Sequence, residues 1–253
     1  MKFQSNDSSG RSLAIAFDDE GAGDAVVLIH GFASSRGTNW RGPSWFQTFN
    51  RIGRRVIALD LRGHGESDKP HEEAAYDEAL LAEDVVNLLD HLGLRTADLM
   101  GYSMGGFITL RLLMEYPQRF GRAIIGGVGE NYFSPVTVNV DRVVAAMRAA
   151  SGEAVSDPVA KSFRLFAESQ GNDLEAMAAC FARPRRPYTP AQLSGLSHPV
   201  LIVVGEDDRV IGSVEPLANA IHNAQLVVLK QRDHMRAVGD KGYKEAVTAF
   251  LAG

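Results

Sequence analysis

The short stretch GYSMGG, residues 101–106, places a serine between glycines where a strand is expected to end and a helix to begin. A serine hydroxyl is a weak nucleophile, and a sharp strand-to-helix turn is the setting that exposes it for attack on a carbonyl carbon. Gly101 and Gly105 have no side chains to obstruct so tight a turn, and the N-terminus of the following helix favours a developing negative charge. These features predict that Ser103 is the nucleophile of an acyl-transfer reaction.

A serine nucleophile needs a base, and the chain offers seven histidines. In an open α/β sheet, active-site residues lie beyond the carboxyl ends of the strands. His234 follows the last expected strand, 224–229, in a short loop, and it is therefore predicted to be the base. His91 and His222 fall in helical stretches, and His71 falls in a polar loop.

An imidazole base in turn needs a carboxylate that holds its tautomer and stabilises its charged form. The turn after the strand PVLIVVG reads EDDRV, so Glu206, Asp207 and Asp208 all compete for this part. Glu130, at the end of another strand, is a further rival, whereas Asp233 lies next to the base and is expected to point elsewhere. Spacing alone leaves the choice of acid open.

The elements that position these residues are short apolar runs, typical of buried parallel strands, which alternate with amphipathic helical stretches. The expected strands cover residues 12–17, 25–30, 55–60, 97–102, 122–127, 199–205 and 224–229. This alternation predicts an α/β fold with a doubly wound, mostly parallel sheet. Residues 131–196 show helical patterns and no convincing strand, which predicts a helical cap insertion between two parts of the core, 1–130 and 197–253.

Composition limits the class of partner and the location. The 253 residues carry a formal net charge of −5, which gives no reason to expect nucleic acid or a membrane as a partner. Cys180 is the single cysteine, so an internal disulfide is excluded and a reducing compartment fits. No apolar run approaches the ~20 residues that span a bilayer, and the polar start lacks the apolar segment of a signal peptide. We expect a cytoplasmic protein that acts on a small molecule, and the sequence carries no signal for an oligomeric state.

A series of motifs in order resembles the α/β-hydrolase fold family, in its short-capped serine esterase-like branch with haloperoxidase- and perhydrolase-like relatives. The motifs are HGFASS (30–35), DLRGHGESD (60–68), GYSMGG (101–106), GEDDRV (205–210) and DHM (233–235). The resemblance extends over about residues 12–250 and shares the chain order serine, acid, histidine.

The resemblance assigns the acid to Asp208, the third residue after the glycine that ends its strand. It also implies an oxyanion hole in which the backbone N–H of Phe32 joins that of Met104, the residue after the nucleophile. Gly31 lets the chain turn under the substrate, so Gly31, Phe32 and Met104 are the expected substrate-binding residues. His30 is then structural and holds this loop in place.

Neither a metal nor another cofactor is expected. Asp60, His64 and Asp68 lie in the loop motif DLRGHGESD and resemble metal ligands only superficially, because they lack an established ligand spacing. Serine-based acyl transfer also needs no metal.

The motif set implies an enzyme that hydrolyses carboxylic esters of small or medium acyl groups through an acyl-enzyme. Similar dehalogenases and epoxide hydrolases carry Asp where this chain has Ser103, and ring-cleavage C–C hydrolases carry a loop richer in glycine and serine than HGFASS. Perhydrolase, lactonase and acyltransferase activities stay open, and so does a small-ligand receptor built on the same fold. Several apolar residues predict either a substrate pocket or ordinary core: Phe32, Met104, Trp40, Trp45, Phe163, Phe166, Met177 and Phe181.

Overall fold

One eight-stranded sheet organises the computed structural model, which describes residues 1–6, 9–134, 138–184 and 187–252. The strands are β1 (Lys2–Asn6), β2 (Ser12–Glu20), β3 (Ala25–Ile29), β4 (Arg55–Leu59), β5 (Ala97–Tyr102), β6 (Phe120–Gly126), β7 (Val200–Gly205) and β8 (Ala224–Leu229). Their order across the sheet is β1-β2-β4-β3-β5-β6-β7-β8. The strand β2 runs antiparallel to both of its neighbours, and all other pairs are parallel. The expected α/β fold with a mostly parallel sheet is confirmed.

Among the described strands, β1, at the edge of the sheet, is the one that the sequence pattern does not predict. Its five residues alternate between exposed and buried, and of the two that face inward only Phe3 is apolar, because the other is Ser5. One inward apolar residue is too weak a period-two signal to separate a strand from a polar terminus. Pairing with β2 fixes this segment in the sheet.

Helices cover both faces of the sheet. They are α1 (Trp45–Arg51), α2 (Glu78–His91), α3 (Met104–Glu115), α8 (Glu215–Ala220), α9 (His234–Ala237) and α10 (Lys241–Ala252). Buried residues of α2, α3 and α8 pack in one core cluster, and those of α1 and α10 pack in another. Alternate residues of β3 contribute to the two clusters, Val27 to the first and Val26 to the second. A strand buried on both faces reads as an uninterrupted apolar run.

Between β6 and β7 the chain forms a helical cap. Its helices are α4 (Val140–Arg148), α5 (Pro158–Ser169), α6 (Leu174–Ala182) and α7 (Pro190–Leu193). The side chains of Asn139, Asp157 and Asp173 accept hydrogen bonds from backbone N–H groups in the first turns of α4, α5 and α6, which satisfies donors that a helix start leaves unpaired. The expected helices of the insertion are therefore present, while its assigned bounds, 131–196, stay a prediction and include 135–137 and 185–186, outside the described residues.

The cap has its own apolar cluster, to which α4, α5 and α6 contribute and into which Phe32 and Ala33 pack from the loop after β3. The buried guanidinium of Arg164 in α5 donates to the carbonyls of Ala146, Met147 and Ala149 at the end of α4. Because that loop leaves the carboxyl end of β3, the cap lies over the carboxyl ends of the strands. Within the described residues, the longest apolar helices fall short of what is needed to cross a membrane, and a cytoplasmic location stays a prediction.

Candidate active site

Ser103 lies in the turn between β5 and α3 in a strained backbone conformation. Its φ of 54° and ψ of −116° belong to a region that residues with a side chain seldom adopt. The Ser103 N–H donates to the Gly126 carbonyl at 2.8 Å, and the Ser103 carbonyl accepts from the Gly106 N–H at 2.8 Å. These backbone bonds hold the serine in a single orientation above the end of the sheet.

The glycines of this turn are required by the close approach of α3 to the sheet. A Cβ on Gly105 would lie 1.9 Å from the Ile29 carbonyl oxygen, and a Cβ on Gly101 would lie 2.1 Å from the Gly105 oxygen. Both obstacles are backbone atoms, which cannot move aside as the end of a flexible side chain can. The spacing of glycines around Ser103 therefore reflects packing of the helix on β3 and β5.

Gly105→Ala is expected to destabilise the protein by about 3 kcal/mol or more, because overpacking against fixed backbone forces the helix away from the sheet. Gly195→Ala is the matched control, since its added Cβ meets no atom within 4 Å. Urea denaturation measures the free energy of unfolding of both variants and of the wild type. Equal stability of the two would contradict the packing explanation.

His234 and Asp208 meet through a hydrogen bond between elements 26 residues apart in the chain. Asp208 lies in the turn after β7, and its Oδ2 is 2.7 Å from Nδ1 of His234, the first residue of α9. The Asp208 side chain is fully buried, and its Oδ1 accepts from the Val210 N–H at 3.0 Å. A carboxylate held from both sides fixes the imidazole so that Nδ1 carries the proton and Nε2 is left to accept one.

The rival carboxylates have other contacts. Glu206 is exposed and accepts from the Gln231 N–H at 3.1 Å, and Asp207 is exposed. Glu130 is exposed and lies 3.4 Å from the Ser213 N–H, while Asp233 accepts from two backbone N–H groups at the start of α9. Within the described residues, the carboxylate brought to the His234 ring is that of Asp208.

Tyr102 is a residue of the site that sequence analysis leaves without a role. Its hydroxyl donates to the His234 carbonyl at 2.5 Å, and the two rings lie 5.4 Å apart. Burial raises the pKa of Tyr102 well above its usual value, so the phenol keeps its proton. A tyrosine directly before the nucleophile thus ties the loop of the histidine to the serine turn, through a contact across 132 residues that no local pattern signals.

The loop after β3 is held from three directions. His30 accepts from the Leu61 N–H at 3.0 Å through Nε2, and its Nδ1 donates to the Gly31 carbonyl at 2.7 Å. The Gly31 N–H donates to Asn39 at 3.2 Å. From the cap, the Asn172 amide donates to the carbonyl of Ala33 at 2.8 Å. The neighbouring Phe32 packs its ring 5.0 Å from that of Phe181, so cap and core together fix this loop beside Ser103.

The side chains of the loop motif 60–68 make hydrogen bonds to other protein groups, including a residue of the loop after β3. Both carboxylate oxygens of Asp60 bind Arg36, which lies on the loop after β3, and Asp68 accepts from the Ala14 N–H. His64 is fully buried, its Nδ1 lies 3.0 Å from the Arg62 carbonyl, and its ring lies 5.1 Å from that of His30. Among the described residues, no group of three metal-binding side chains is assembled.

Burial lowers the pKa of His30, although the nearby Asp60 carboxylate opposes the shift, and burial lowers the pKa of His64 well below its usual value. Both imidazoles are therefore still neutral in the folded protein at the pH at which the same histidines of the unfolded chain begin to take up protons. Because the unfolded state then binds more protons, stability must fall as pH drops below ~6.5. The Nε2 of His64 has no hydrogen-bond partner among the described residues, so protonation there would add an unsatisfied charge.

Between pH 7.5 and pH 5.5 we expect the free energy of unfolding to fall, by at most about 1.4 kcal/mol for each of these two histidines, the limit set by proton uptake of unfolded histidine. Urea denaturation at constant ionic strength measures the fall. His64→Gln should reduce the fall by its own share, and His222→Gln is the control substitution at an exposed histidine. A flat profile between the two pH values would contradict the neutral buried pair. The Asp173 carboxylate raises the pKa of the exposed His71. This contribution changes the free energy of unfolding with pH in the opposite direction, and it is weak because the pair is exposed.

A cavity of about 970 Å³ lies between the cap and the sheet, and it brings Ser103 and His234 together. Gly31 and Phe32 also line it. The side chain of Met104 is buried in the core, so any part it plays must go through its backbone, and as the first residue of α3 it carries an N–H that lacks an acceptor within the helix.

The apolar residues that left two interpretations open divide between pocket and core. Phe32, Phe163 and Phe166 line the cavity. The others are buried in the apolar clusters: Trp40, Trp45, Met104, Met177 and Phe181. Helical periodicity indicates only on which face of its own helix a residue lies. Whether that face packs against a neighbouring element or lines the cavity depends on tertiary contacts, which the periodicity does not show.

Comparison with known proteins identifies the family of the chain. The family model described as "alpha/beta hydrolase fold" matches residues 24–145. A 2-hydroxymuconate semialdehyde hydrolase from Pseudomonas sp. (strain CF600) is 31% identical, over 98% of this chain and 96% of that protein.

Two solved structures extend the likeness over the whole chain. An esterase from Thermogutta terrifontis superposes with a TM-score of 0.78 at 25% identity, covering 100% of this chain and 98% of the other. A bromoperoxidase from Bacillus anthracis gives a TM-score of 0.75 at 25% identity, covering 100% of both chains. The expected resemblance, with haloperoxidase-like relatives, is confirmed, and the chain is a hydrolase that belongs to the α/β-hydrolase fold family.

Proposed function

We propose that the protein hydrolyses carboxylic esters of small or medium acyl groups through an acyl-enzyme on Ser103, with His234 as base and Asp208 as the acid that orients it. The observation that carries the proposal is the 2.7 Å hydrogen bond between Asp208 and His234. His234 lines the same cavity as Ser103, which is held in a strained turn.

In the first half of the reaction, Ser103 Oγ attacks the ester carbonyl carbon while His234 Nε2 takes the hydroxyl proton. The carbonyl oxygen becomes an oxyanion, for which the backbone N–H groups of Phe32 and Met104 are the proposed donors. Collapse of the tetrahedral intermediate breaks the bond to the alcohol oxygen, and His234 returns its proton to that oxygen. The products are a free alcohol and an ester of Ser103.

In the second half, water attacks the acyl-enzyme with His234 again as base, and the carboxylic acid leaves as Ser103 regains its proton. Asp208 stays ionised throughout and stabilises the imidazolium that forms in each half. The Asn172 bond to Ala33 supports the same scheme, because a donor on a mobile loop loses much of its value for an oxyanion.

A panel of 4-nitrophenyl esters from acetate to dodecanoate tests the proposal directly. We expect many turnovers per enzyme molecule and the highest kcat/KM at short or medium chain length. A ligand receptor on this fold would release about one equivalent of 4-nitrophenol per chain and stop. Lactones, thioesters and peracid formation in the same panel distinguish the lactonase, acyltransferase and perhydrolase alternatives.

A second candidate is hydrolysis of 2-hydroxymuconate semialdehyde, the substrate in the name of the relative that is 31% identical. Loss of the absorbance of this compound in the presence of the protein tests it. A kcat/KM for this substrate far above that of every ester in the panel would replace the ester assignment, and both activities would depend on Ser103.

A further inference from the structure

Besides Ser103 and His234, the residues that line the cavity fall into two chemically different groups, here called its two halves. One half consists of apolar residues of the cap and the loop after β3, among them Phe32, Phe163 and Phe166. The other half consists of residues that neighbour the acid and the base in the chain. The substrate must therefore present unlike groups to the two halves.

The second half carries an excess of positive charge. Three basic residues line it: Arg209, directly after Asp208; Arg236, two residues after His234; and Lys241, the first residue of α10. Among the described residues of the lining, the one acidic residue is Asp240, and it is neutralised by Arg232 at 2.6 Å. This excess occurs in a chain of net charge −5.

The three cations differ in how far they are already paired. Arg209 is exposed and has no ion pair within the described residues. Arg236 lies 3.6 Å from Asp233, a carboxylate that already accepts two hydrogen bonds at the start of α9, and Lys241 lies 3.2 Å from Glu245. Arg209 is therefore the cation with most capacity for a bound anion, and a guanidinium matches the two oxygens of a carboxylate.

Apolar side chains line the same half. Val210, Met235 and Val238 lie along the chain next to the cations. A group that fits this half has an apolar body with a negative charge at the end that reaches solvent, because the cations are exposed. A fully polar anion would leave these three side chains uncovered.

The reaction chemistry decides which part of an ester enters this half. His234 must return a proton to the leaving oxygen, so the alcohol part lies against the imidazole. Arg209 and Arg236 are chain neighbours of Asp208 and His234, and they therefore flank the alcohol side. The acyl part is left to the apolar half under the cap.

We propose, on the basis of the ester hydrolysis proposed above, that the preferred substrates are esters of an apolar acyl group with an alcohol that carries a carboxylate, such as a hydroxyaryl carboxylate. The negative charge is bound chiefly by Arg209, with Arg236 and Lys241 adding attraction.

The test compares 4-carboxyphenyl butanoate with 4-carbamoylphenyl butanoate, a neutral ester of similar shape. At low salt we expect kcat/KM to favour the carboxylate by about tenfold, decreasing to about twofold at 0.5 M salt, as expected of exposed charges. The double variant Arg209→Gln/Arg236→Gln should lose the preference and keep its rate on the neutral ester. The control Arg51→Gln/Arg95→Gln removes the same charge at exposed sites outside the cavity lining and should keep the preference.

Equal rates on both esters in the wild type, or an unchanged ratio in the double variant, would overturn the inference. So would a preference for monophenyl glutarate over phenyl butanoate, because that carboxylate lies on the acyl side. If neither ester is hydrolysed, the proposed function fails, and calorimetric titration then decides this inference separately. Tighter binding of 4-hydroxybenzoate than of 4-hydroxybenzamide, lost in the double variant, would support it, and equal binding would overturn it.

Discussion

Ser103→Ala is expected to lower kcat for ester hydrolysis by at least about 10⁴-fold. The variant keeps the cavity, the imidazole and the backbone donors, but it has no oxygen to form the acyl-enzyme. Its residual rate reflects water attack in a cavity that still stabilises an oxyanion. Initial rates on 4-nitrophenyl butanoate at high enzyme concentration measure the loss.

The control for Ser103→Ala is Ser162→Ala, which removes a second serine hydroxyl from the same cavity. Ser162 donates to the Val159 carbonyl within its own helix, so its loss should change kcat by less than about twofold. Urea denaturation should give both variants the stability of the wild type, because each loses only one hydroxyl. A Ser103→Ala enzyme with a tenth of wild-type activity would contradict the assignment of the nucleophile.

Asp208→Asn is expected to lower kcat by about 10⁴-fold, the loss found when the orienting carboxylate of a serine protease becomes an amide. Loss of the negative charge leaves the imidazolium unstabilised. An amide NH₂ facing Nδ1 would also favour the tautomer that carries its proton on Nε2, which then cannot accept the serine proton. The substitution keeps the size of the side chain, so the fully buried site should not collapse.

Two variants serve as controls for Asp208→Asn. Asp207→Asn changes the adjacent exposed carboxylate, and Glu130→Gln changes the rival beside the Ser213 N–H. Both should retain kcat within about threefold, since neither carboxylate is brought to the His234 ring. A crippled Asp207→Asn or Glu130→Gln enzyme beside an active Asp208→Asn enzyme would assign the acid to another residue.

The parts of the site that depend on local sequence are the parts that sequence analysis can locate. A serine among glycines at a strand end identifies the turn, because the close approach of α3 to β3 excludes any Cβ at Gly105. Three acids compete in the turn after β7, and their spacing alone does not separate them. The family resemblance assigns the acid to Asp208, and the fold places that carboxylate beside His234.

The parts that depend on contacts distant in the chain could not be located in this way. The Tyr102 bond to the His234 carbonyl and the Asn172 bond to the Ala33 carbonyl span 132 and 139 residues. Neither contact leaves a periodic or compositional signal in the sequence. The same reason explains why Phe163 and Met177, both apolar residues of cap helices, diverge in role: the first lines the cavity and the second is buried in the cap.

The most direct test of an acyl-enzyme on Ser103 is peptide-level mass spectrometry after titration with a fluorophosphonate, which forms a stable bond to an activated serine. We expect one label per chain, on the peptide that contains Ser103, and a loss of ester hydrolysis in proportion to the fraction labelled. Labelling should be absent in Ser103→Ala and much slower in Asp208→Asn. Full ester turnover by protein labelled completely at Ser103, or inactivation by a label on another residue, would contradict the account.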